Sequence, residues 1–463
     1  MKKYFGYAPA LIVPRLLAIV TLLVFARIIP PERIGLYSLV ILFGEYLDTV
    51  FMRWIRASYT RLYYEYGRRG ESIDRAIVIL MVPGIAFSVI FAFGYVLFDS
   101  HYDKTWATLL SLYVVANFIL YQGLQFLRVR GKSRLYIIIE TLRPILGFGF
   151  ALMLVSWFGA EYEYLLLGTQ SFTALAALFL LWKILKVDSI SRPTKLFIKE
   201  ILGYSGPLIG SFLLAGTILI LDRVMLEKIA GTAALGAYAV SYQLGRPALD
   251  MLFNIINIGG FPKLVQAYET EGDDGARRIF RQKSVAIGLV TLPMLTFILV
   301  SAQNMTDLLL KDEYATVAPV TISLIAMAAF IRGWTRFLID QIFLLRKTTS
   351  DLIWKQAPSL VLMFVVCLVL IPSYGIYGAA ASALIGNLFE ATLSIMRARK
   401  RMKINIFGRE LMIILLACIL GGGVIWTGRI LLGMPGWIGA SVLTLGTYGY
   451  AMKHLGILSV LKG

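Results

Sequence analysis

The chain reads as an all-α polytopic membrane protein, on three observations: long apolar segments, basic residues confined to alternate gaps, and an internal repeat. Its 463 residues are 58% hydrophobic and 16% charged, with a mean hydropathy of +0.76. A helix crossing about 30 Å of hydrocarbon at 1.5 Å per residue needs about 20 mostly apolar residues. Fourteen segments meet that length, near 7–29, 34–52, 76–98, 106–127, 135–157, 164–182, 203–223, 234–260, 284–302, 316–345, 352–372, 376–396, 410–430 and 437–455. Transmembrane strands are excluded by segment length and by the lack of apolar/polar alternation.

The first segment follows Lys2-Lys3, the outline of a signal peptide. Arg15 interrupts the run, however, and Pro30-Pro31 follows without a small-residue cleavage pattern, so it is read as an uncleaved span. The basic gaps are Arg53 to Arg75, Arg128 to Arg134, Lys183 to Lys199, Lys263 to Lys283, Arg346-Lys347 and Arg397 to Arg409. With the termini they hold about 32 of the 45 lysines and arginines, whereas the opposite gaps offer Arg33, Lys104, Lys228, Lys311 and Arg429. The positive-inside rule then places both termini in the cytoplasm, as an even number of spans requires.

Ile34-Gly35-Leu36-Tyr37-Ser38 opens the second span, and Leu235-Gly236-Ala237-Tyr238-Ala239 opens the eighth, 201 residues later. Thr60-Arg61-Leu62 with Tyr66 and Gly70 aligns with Pro262-Lys263-Leu264, Tyr268 and Gly272. Six spans per repeat is an even number, so the halves insert in the same direction. The expected architecture is two six-helix bundles, residues 1–200 and 201–400, related by a pseudo-two-fold along the membrane normal. Two further helices occupy 401–463, either as filler or dimer contact, or as the wall of a lipid-facing groove.

The net charge of +18 is explained by topology and attraction to anionic lipid, so no nucleic-acid role is expected. Cys367 and Cys418 lie inside spans and His101 and His454 are isolated, which leaves no disulfide framework and no metal site. Cytoplasmic gaps lack phosphate-loop and dinucleotide-binding glycine motifs, and the external gaps are too short for a catalytic domain. Neither a cofactor nor an enzymatic activity is expected.

Charges within spans are costly and default to functional candidates. They are Arg15, Glu45, Asp48, Glu140, Arg143, Asp222, Arg223, Arg246, Asp250, Arg332, Arg336, Asp340, Lys355 and Glu390. Helical spacing pairs Glu140 with Arg143, Arg246 with Asp250 and Arg336 with Asp340. Arg15, beside Pro14, is read as lining a cavity, and Lys355 as snorkelling to the cytoplasmic interface. Arg246, Asp250, Asn254 and Asn257 share one stripe of a helix, echoed by Asn117, Tyr121 and Gln125; in a bundle such stripes imply a wet path.

Arg27 through Pro31-Glu32 to Gly35-Leu36-Tyr37-Ser38, Leu221-Asp222-Arg223-Val224-Met225-Leu226 leading to Leu235-Gly236-Ala237-Tyr238, and Phe261-Pro262 resemble the polysaccharide-transporter (Wzx-type flippase) branch of the multidrug/oligosaccharidyl-lipid/polysaccharide exporter superfamily. Pro30 departs from the glycine usual in that turn. The resemblance implies a bacterial inner-membrane flippase that carries an undecaprenyl-diphosphate-linked oligosaccharide by alternating access, coupled to an ion gradient. It also implies membrane lipids and polysaccharide polymerase or other assembly proteins as partners. On that reading Arg15, Arg246 and Arg332, with Arg143, Asn117, Asn254 and Asn257, are the candidate substrate contacts. Glu45, Asp48 and Asp222 are the candidates for ion coupling. Glu45 and Arg246 occupy equivalent positions of the two repeats, so they are expected to pair across a central cavity unless Arg246 bonds Asp250 instead. The competing readings are a cation-coupled multidrug exporter of the same superfamily, for which Glu45 and Asp48 speak, and a membrane-embedded polymerase or glycosyltransferase.

Overall fold

A computed structural model describes residues 8–68, 73–99, 102–186, 195–315, 317–346, 348, 350–402, 408–455 and 457. Lys2, Lys3, Gly70, His101, Lys347 and Lys462, used in the sequence reading, lie outside the described residues. The described part is helical and contains no strand. Its first helices are α1 (Ala8–Ala26), α2 (Pro31–Phe51), α3 (Arg53–Arg68), α4 (Asp74–Phe98), α5 (Lys104–Val129), α6 (Ser133–Phe158) and α7 (Tyr162–Leu185). There follow α8 (Lys195–Gly245), α9 (Pro247–Leu309), the short α10 (Asp312–Ala315), α11 (Ala318–Trp334), a π-helical turn (Thr335–Ile339), α12 (Gln341–Leu345), α13 (Ser350–Arg401) and α14 (Arg409–His454).

Nine of the described helices are long and apolar enough to cross a membrane. Their outward side chains are apolar: Leu97 is 87% exposed, Trp157 71% and Leu420 72%. Water would penalise such a surface and lipid does not, so the protein is a multi-pass membrane protein.

Four helices exceed any single crossing, at 51, 63, 52 and 46 residues, and each is broken once, at Gly231, Gly272, Gly375 or Gly433. All four glycines have positive φ, between 51° and 85°, a backbone region that residues with a Cβ avoid. The breaks fall in gaps that hydropathy predicts, and the chain folds back at them. A Cβ on Gly378 would meet the Leu370 carbonyl, one on Gly386 would meet Met363, and one on Gly421 would meet Thr444, as in antiparallel hairpins. The element count therefore differs from the fourteen predicted segments, because each pair joined by one glycine forms a continuous helical run.

The chain divides into two compact units. The first comprises Met1–Leu221 and Thr232–Gly236, the second Asp222–Gly231 and Ala237–Gly463. In the first unit α6 and α7 approach backbone to backbone, with a Cβ on Gly168 falling 2.3 Å from Ala151 Cα. Phe43 of α2, Tyr95 of α4, Tyr102 of the following link and Trp106 of α5 form an aromatic cluster. The amphipathic α3 is tied down through Asp74, which accepts hydrogen bonds from Tyr59 at 2.5 Å and from Arg130 at 2.7 Å. Burial pushes the Tyr59 hydroxyl well above its ordinary titration range, and the Asp74 carboxylate adds to that shift.

The glycines of the two repeated motifs meet within this unit. A Cβ on Gly35 would lie 2.1 Å from the Thr232 carbonyl oxygen, and one on Gly236 1.9 Å from the Pro31 carbonyl oxygen and 3.0 Å from Gly35 N. Only residues without a side chain permit that approach. Gly236→Ala is therefore expected to destabilise the protein by about 1–3 kcal/mol through overpacking. Gly149→Ala, on an exposed α6 face with open space around it, should be neutral or stabilising by up to about 1 kcal/mol. Midpoints of thermal aggregation in detergent check both; equal midpoints for the two variants would refute the packing assignment.

Candidate functional site: a cationic cluster in the second unit

The site is built where α8 passes into α9. Gly245 allows the helix to press on α11, since a Cβ there would sit 2.8 Å from the Ile322 carbonyl oxygen. Pro247 follows at the first position of α9, and Arg246 between them bends the chain. Arg246 Nε donates to Asp250 Oδ2 at 2.8 Å, one turn along, as the helical spacing predicts. Arg332, at the end of α11, donates to both oxygens of the same carboxylate at 2.9 and 3.0 Å. Two guanidiniums thus share one carboxylate.

Two further arginines belong to the cluster. The Arg223 guanidinium lies 3.7 Å from the Tyr242 ring centre, and Arg246 lies 4.7 Å from the same ring. Arg223 Nε and Nη2 are buried without a hydrogen-bond partner among the described residues, as is the Tyr242 hydroxyl. Arg336 lies within electrostatic range of Arg332 and Asp250. It is exposed, and among the described residues it makes no hydrogen bond or ion pair, only a ring contact with Phe337 at 5.8 Å. Arg246, Arg332 and Arg336 lie in range of Asp250, and Arg223 in range of Arg246, an excess of positive charge that favours an anion.

The sequence reading paired Arg336 with Asp340, and the structure corrects it. Between them the chain takes a π-helical turn, in which the Asp340 amide bonds the Thr335 carbonyl five residues back. The widened turn breaks the four-residue register. Asp340 is engaged instead by Lys355 Nζ at 2.7 Å and by Ser394 Oγ at 2.7 Å. Lys355 does not snorkel: it is fully buried, and its Nζ also contacts Glu390 at 2.7 Å. Cross-helix partners were beyond the reach of helical spacing.

The other candidates divide between the units. In the second, Asn254 donates to the Asp250 backbone carbonyl, and Asn257 accepts from Lys283 at 2.8 Å and from Gln341. The asparagine stripe is thus largely spent on internal bonds. Asp222 is buried and accepts from Tyr238 at 2.5 Å.

In the first unit Asn117 bonds Gln170 at 2.9 Å and Arg143 bonds Thr173 at 3.1 Å. Glu140 lies 3.7 Å from Arg143. Arg56 grips Asp48 at 2.8 and 2.5 Å, a fork from α3 to α2. Glu45 is exposed, and Tyr121 lies in electrostatic range of Arg143, Glu45, Asp48 and Glu140. Arg15 is half-buried on α1 and has no hydrogen-bond or ion-pair partner among the described residues.

Arg223 and Arg336 stand among the in-span charges of the sequence without a named contact role, and Tyr242 is not among its candidates. Arg223 stood inside the Leu221-Asp222-Arg223 motif, a signal that was available. Arg336 was hidden by its spacing from Asp340.

The second unit also holds an apolar groove of about 590 Å³, lined by Leu289, Pro293 and Phe297 of α9 and by Cys418, Val442 and Tyr448 of α14. Among the described residues no three His, Cys, Asp or Glu side chains are grouped to hold a metal ion.

The fold is shared with solved membrane transporters. The lipid II flippase MurJ in an inward closed conformation superimposes with a TM-score of 0.72 at 12% identity, over 96% of this chain and 99% of that one. An inward-facing multidrug resistance MATE family transporter of the MOP superfamily gives 0.63 at 15% identity, over 85% and 97%. A MATE transporter of Vibrio cholerae gives 0.58 at 16%, over 86% and 95%. No curated protein matches the chain. The family model described as polysaccharide biosynthesis protein matches residues 1–268, more than half of the sequence. The chain belongs to that polysaccharide biosynthesis protein family.

Proposed function

We propose that this protein is a flippase that moves an undecaprenyl-diphosphate-linked oligosaccharide, an O-antigen, capsule or exopolysaccharide repeat unit, across the bacterial inner membrane by alternating access. The observation that carries the reading is the cluster of Arg223, Arg246, Arg332 and Arg336, in which Asp250 is bonded by Arg246 and Arg332. Planar guanidiniums match the oxygens of a diphosphate, and Arg336 has donors to spare. The apolar groove beside α14 has the chemistry of a polyprenyl tail site. On this reading the chain makes fourteen crossings with both termini in the cytoplasm, in the six-plus-six arrangement with two appended helices; the four glycine breaks, each in a gap between apolar segments, support it. Arg15, Arg143 and Asn117 are the first unit's candidates for the same cargo.

An organic-cation exporter would need a site of the opposite charge. Within the second unit the arginine excess disfavours it. A polymerase or glycosyltransferase is disfavoured by the short external gaps and by a sequence without a nucleotide-sugar domain.

Arg336→Ala and Arg332→Ala are each expected to lower flipping about 10- to 100-fold, the range of one lost charge-assisted contact. Arg336→Lys should retain an intermediate rate, since it keeps charge and loses the fork. Transport of a polyprenyl-diphosphate glycan in proteoliposomes, normalised to protein content, measures this; undiminished rates in both alanine variants would sink the reading.

Ion coupling is assigned to Glu45, an acid exposed on α2 one turn from Asp48, and Asp48 is given a structural role as the acceptor of the Arg56 fork. Glu45→Gln should uncouple transport from an imposed ion gradient. Asp48→Asn should instead lower thermal stability by about 1–3 kcal/mol by stranding the Arg56 charge. A Glu45→Gln protein that responds normally to collapse of the gradient would contradict the assignment.

A further inference from the structure

The two arms of the α13 hairpin meet again at its open end, where the apolar segments 352–372 and 376–396 stop. Asp351 stands in the first turn of the outgoing arm, and Arg399, Lys400 and Arg401 in the last turn of the returning one. Arg397 Nη1 donates to Asp351 Oδ1 at 3.0 Å, and Arg401 holds Oδ2 through Nε at 3.1 Å and Nη2 at 3.0 Å. The Asp351 side chain is buried, while both guanidiniums reach the surface. Two arginines of one arm are thus fixed by a single acid of the other, which lowers the cost of ordering them around a ligand.

A cavity of about 470 Å³ opens at this point, lined by Asp351, Leu393, Met396, Arg397, Lys400 and Arg401. Three cations and one carboxylate leave it with a surplus of positive charge. Glu390, two turns further into the hairpin, does not answer that surplus, because Lys355 bonds it. Arg397 Nε and Nη2 and Arg401 Nη1 are not engaged by Asp351. Lys400 is exposed and makes no hydrogen bond or ion pair among the described residues.

The inner side of the cavity is apolar. Met396, 57% exposed, and Leu393 lie nearer the membrane interior than the cations, and Trp354, 66% exposed, stands one turn inward from Asp351. An exposed tryptophan at the end of an apolar segment marks the depth of the lipid headgroups. A free phosphate would leave the apolar wall uncovered. A phospholipid covers both sides, with its phosphate on the cations and its glycerol and acyl end on Leu393 and Met396. A headgroup that carries its own ammonium would set a further cation beside Lys400, so the cavity selects a lipid of net negative charge.

We infer that the open end of the α13 hairpin is a binding site for an anionic phospholipid, whose phosphate is held by Arg397, Lys400 and Arg401. The inference does not depend on the cargo.

Native mass spectrometry of the full-length protein, delipidated in detergent and offered phosphatidylglycerol or phosphatidylethanolamine, tests it. Phosphatidylglycerol should be retained at the higher occupancy. Lys400→Ala should weaken that retention about 5-fold, the effect of one basic residue at an anionic lipid surface. Arg399→Ala removes the same charge from the same turn, at an exposed residue that does not line the cavity, and should bind as the wild type does. The pair separates a built site from the general preference for basic residues at a helix C-terminus. Neither side chain has a bond to lose among the described residues, so both variants should fold. Four results would each overturn the inference: equal retention of the two lipids, equal loss in the two variants, displacement of the lipid by millimolar inorganic phosphate, or retention of undecaprenyl diphosphate in preference to phosphatidylglycerol. None of them would overturn the arginine-cluster reading of the function.

Discussion

A charge in hydrocarbon must be matched by an opposite charge, by water or by a ligand, and this constraint organises the second unit. Asp250 answers for Arg246 and Arg332; Lys355 answers for Asp340 and Glu390; Lys283 rests on the amide oxygens of Asn257 and Gln341. Once these pairings are made, Arg336 and the buried nitrogens of Arg223 have no hydrogen-bond or ion-pair partner among the described residues. The unbalanced positive charge is where the unit differs from an inert helix bundle. The same constraint in the first unit is met by Arg56 on Asp48, which ties the amphipathic α3 to α2, and by Arg130 on Asp74, whose other oxygen accepts from Tyr59 of α3.

Backbone irregularities place these charges. The π-helical turn after α11 rotates Asp340 away from Arg336 and toward Lys355, separating a cationic cluster from a mixed one only four residues along. Arg246 is delivered by a bend between a glycine that lets two helices touch and a proline that opens the next helix. Glycines at the tips of the hairpins and at the contact of Gly35 with Gly236 serve packing instead.

The family match and the shared fold bear on different questions. The family model links the chain to polysaccharide biosynthesis through its first 268 residues, while the arginine cluster lies on residues 223 to 336. Solved flippases and multidrug transporters share the fold at 12–16% identity, so the fold does not choose between an anionic lipid cargo and an organic cation. The charge of the site is what separates those two chemistries.

Apolar length, basic gaps and turn glycines made the helical membrane fold legible in the sequence, because each depends on the chemistry of one segment against lipid or water. The repeat motifs and the Arg246 to Asp250 pair were legible for the same reason, being local along a helix. The partners of Asp340, Lys355, Glu390 and Arg332 lay out of reach. Each is found on a different helix, and periodicity reports the face of one helix without saying which neighbour covers it. Arg223 and Arg336 gained their place in the site only through tertiary structure: one by stacking on Tyr242 nineteen residues away, the other because a π-helical turn carried its spacing partner to a buried lysine.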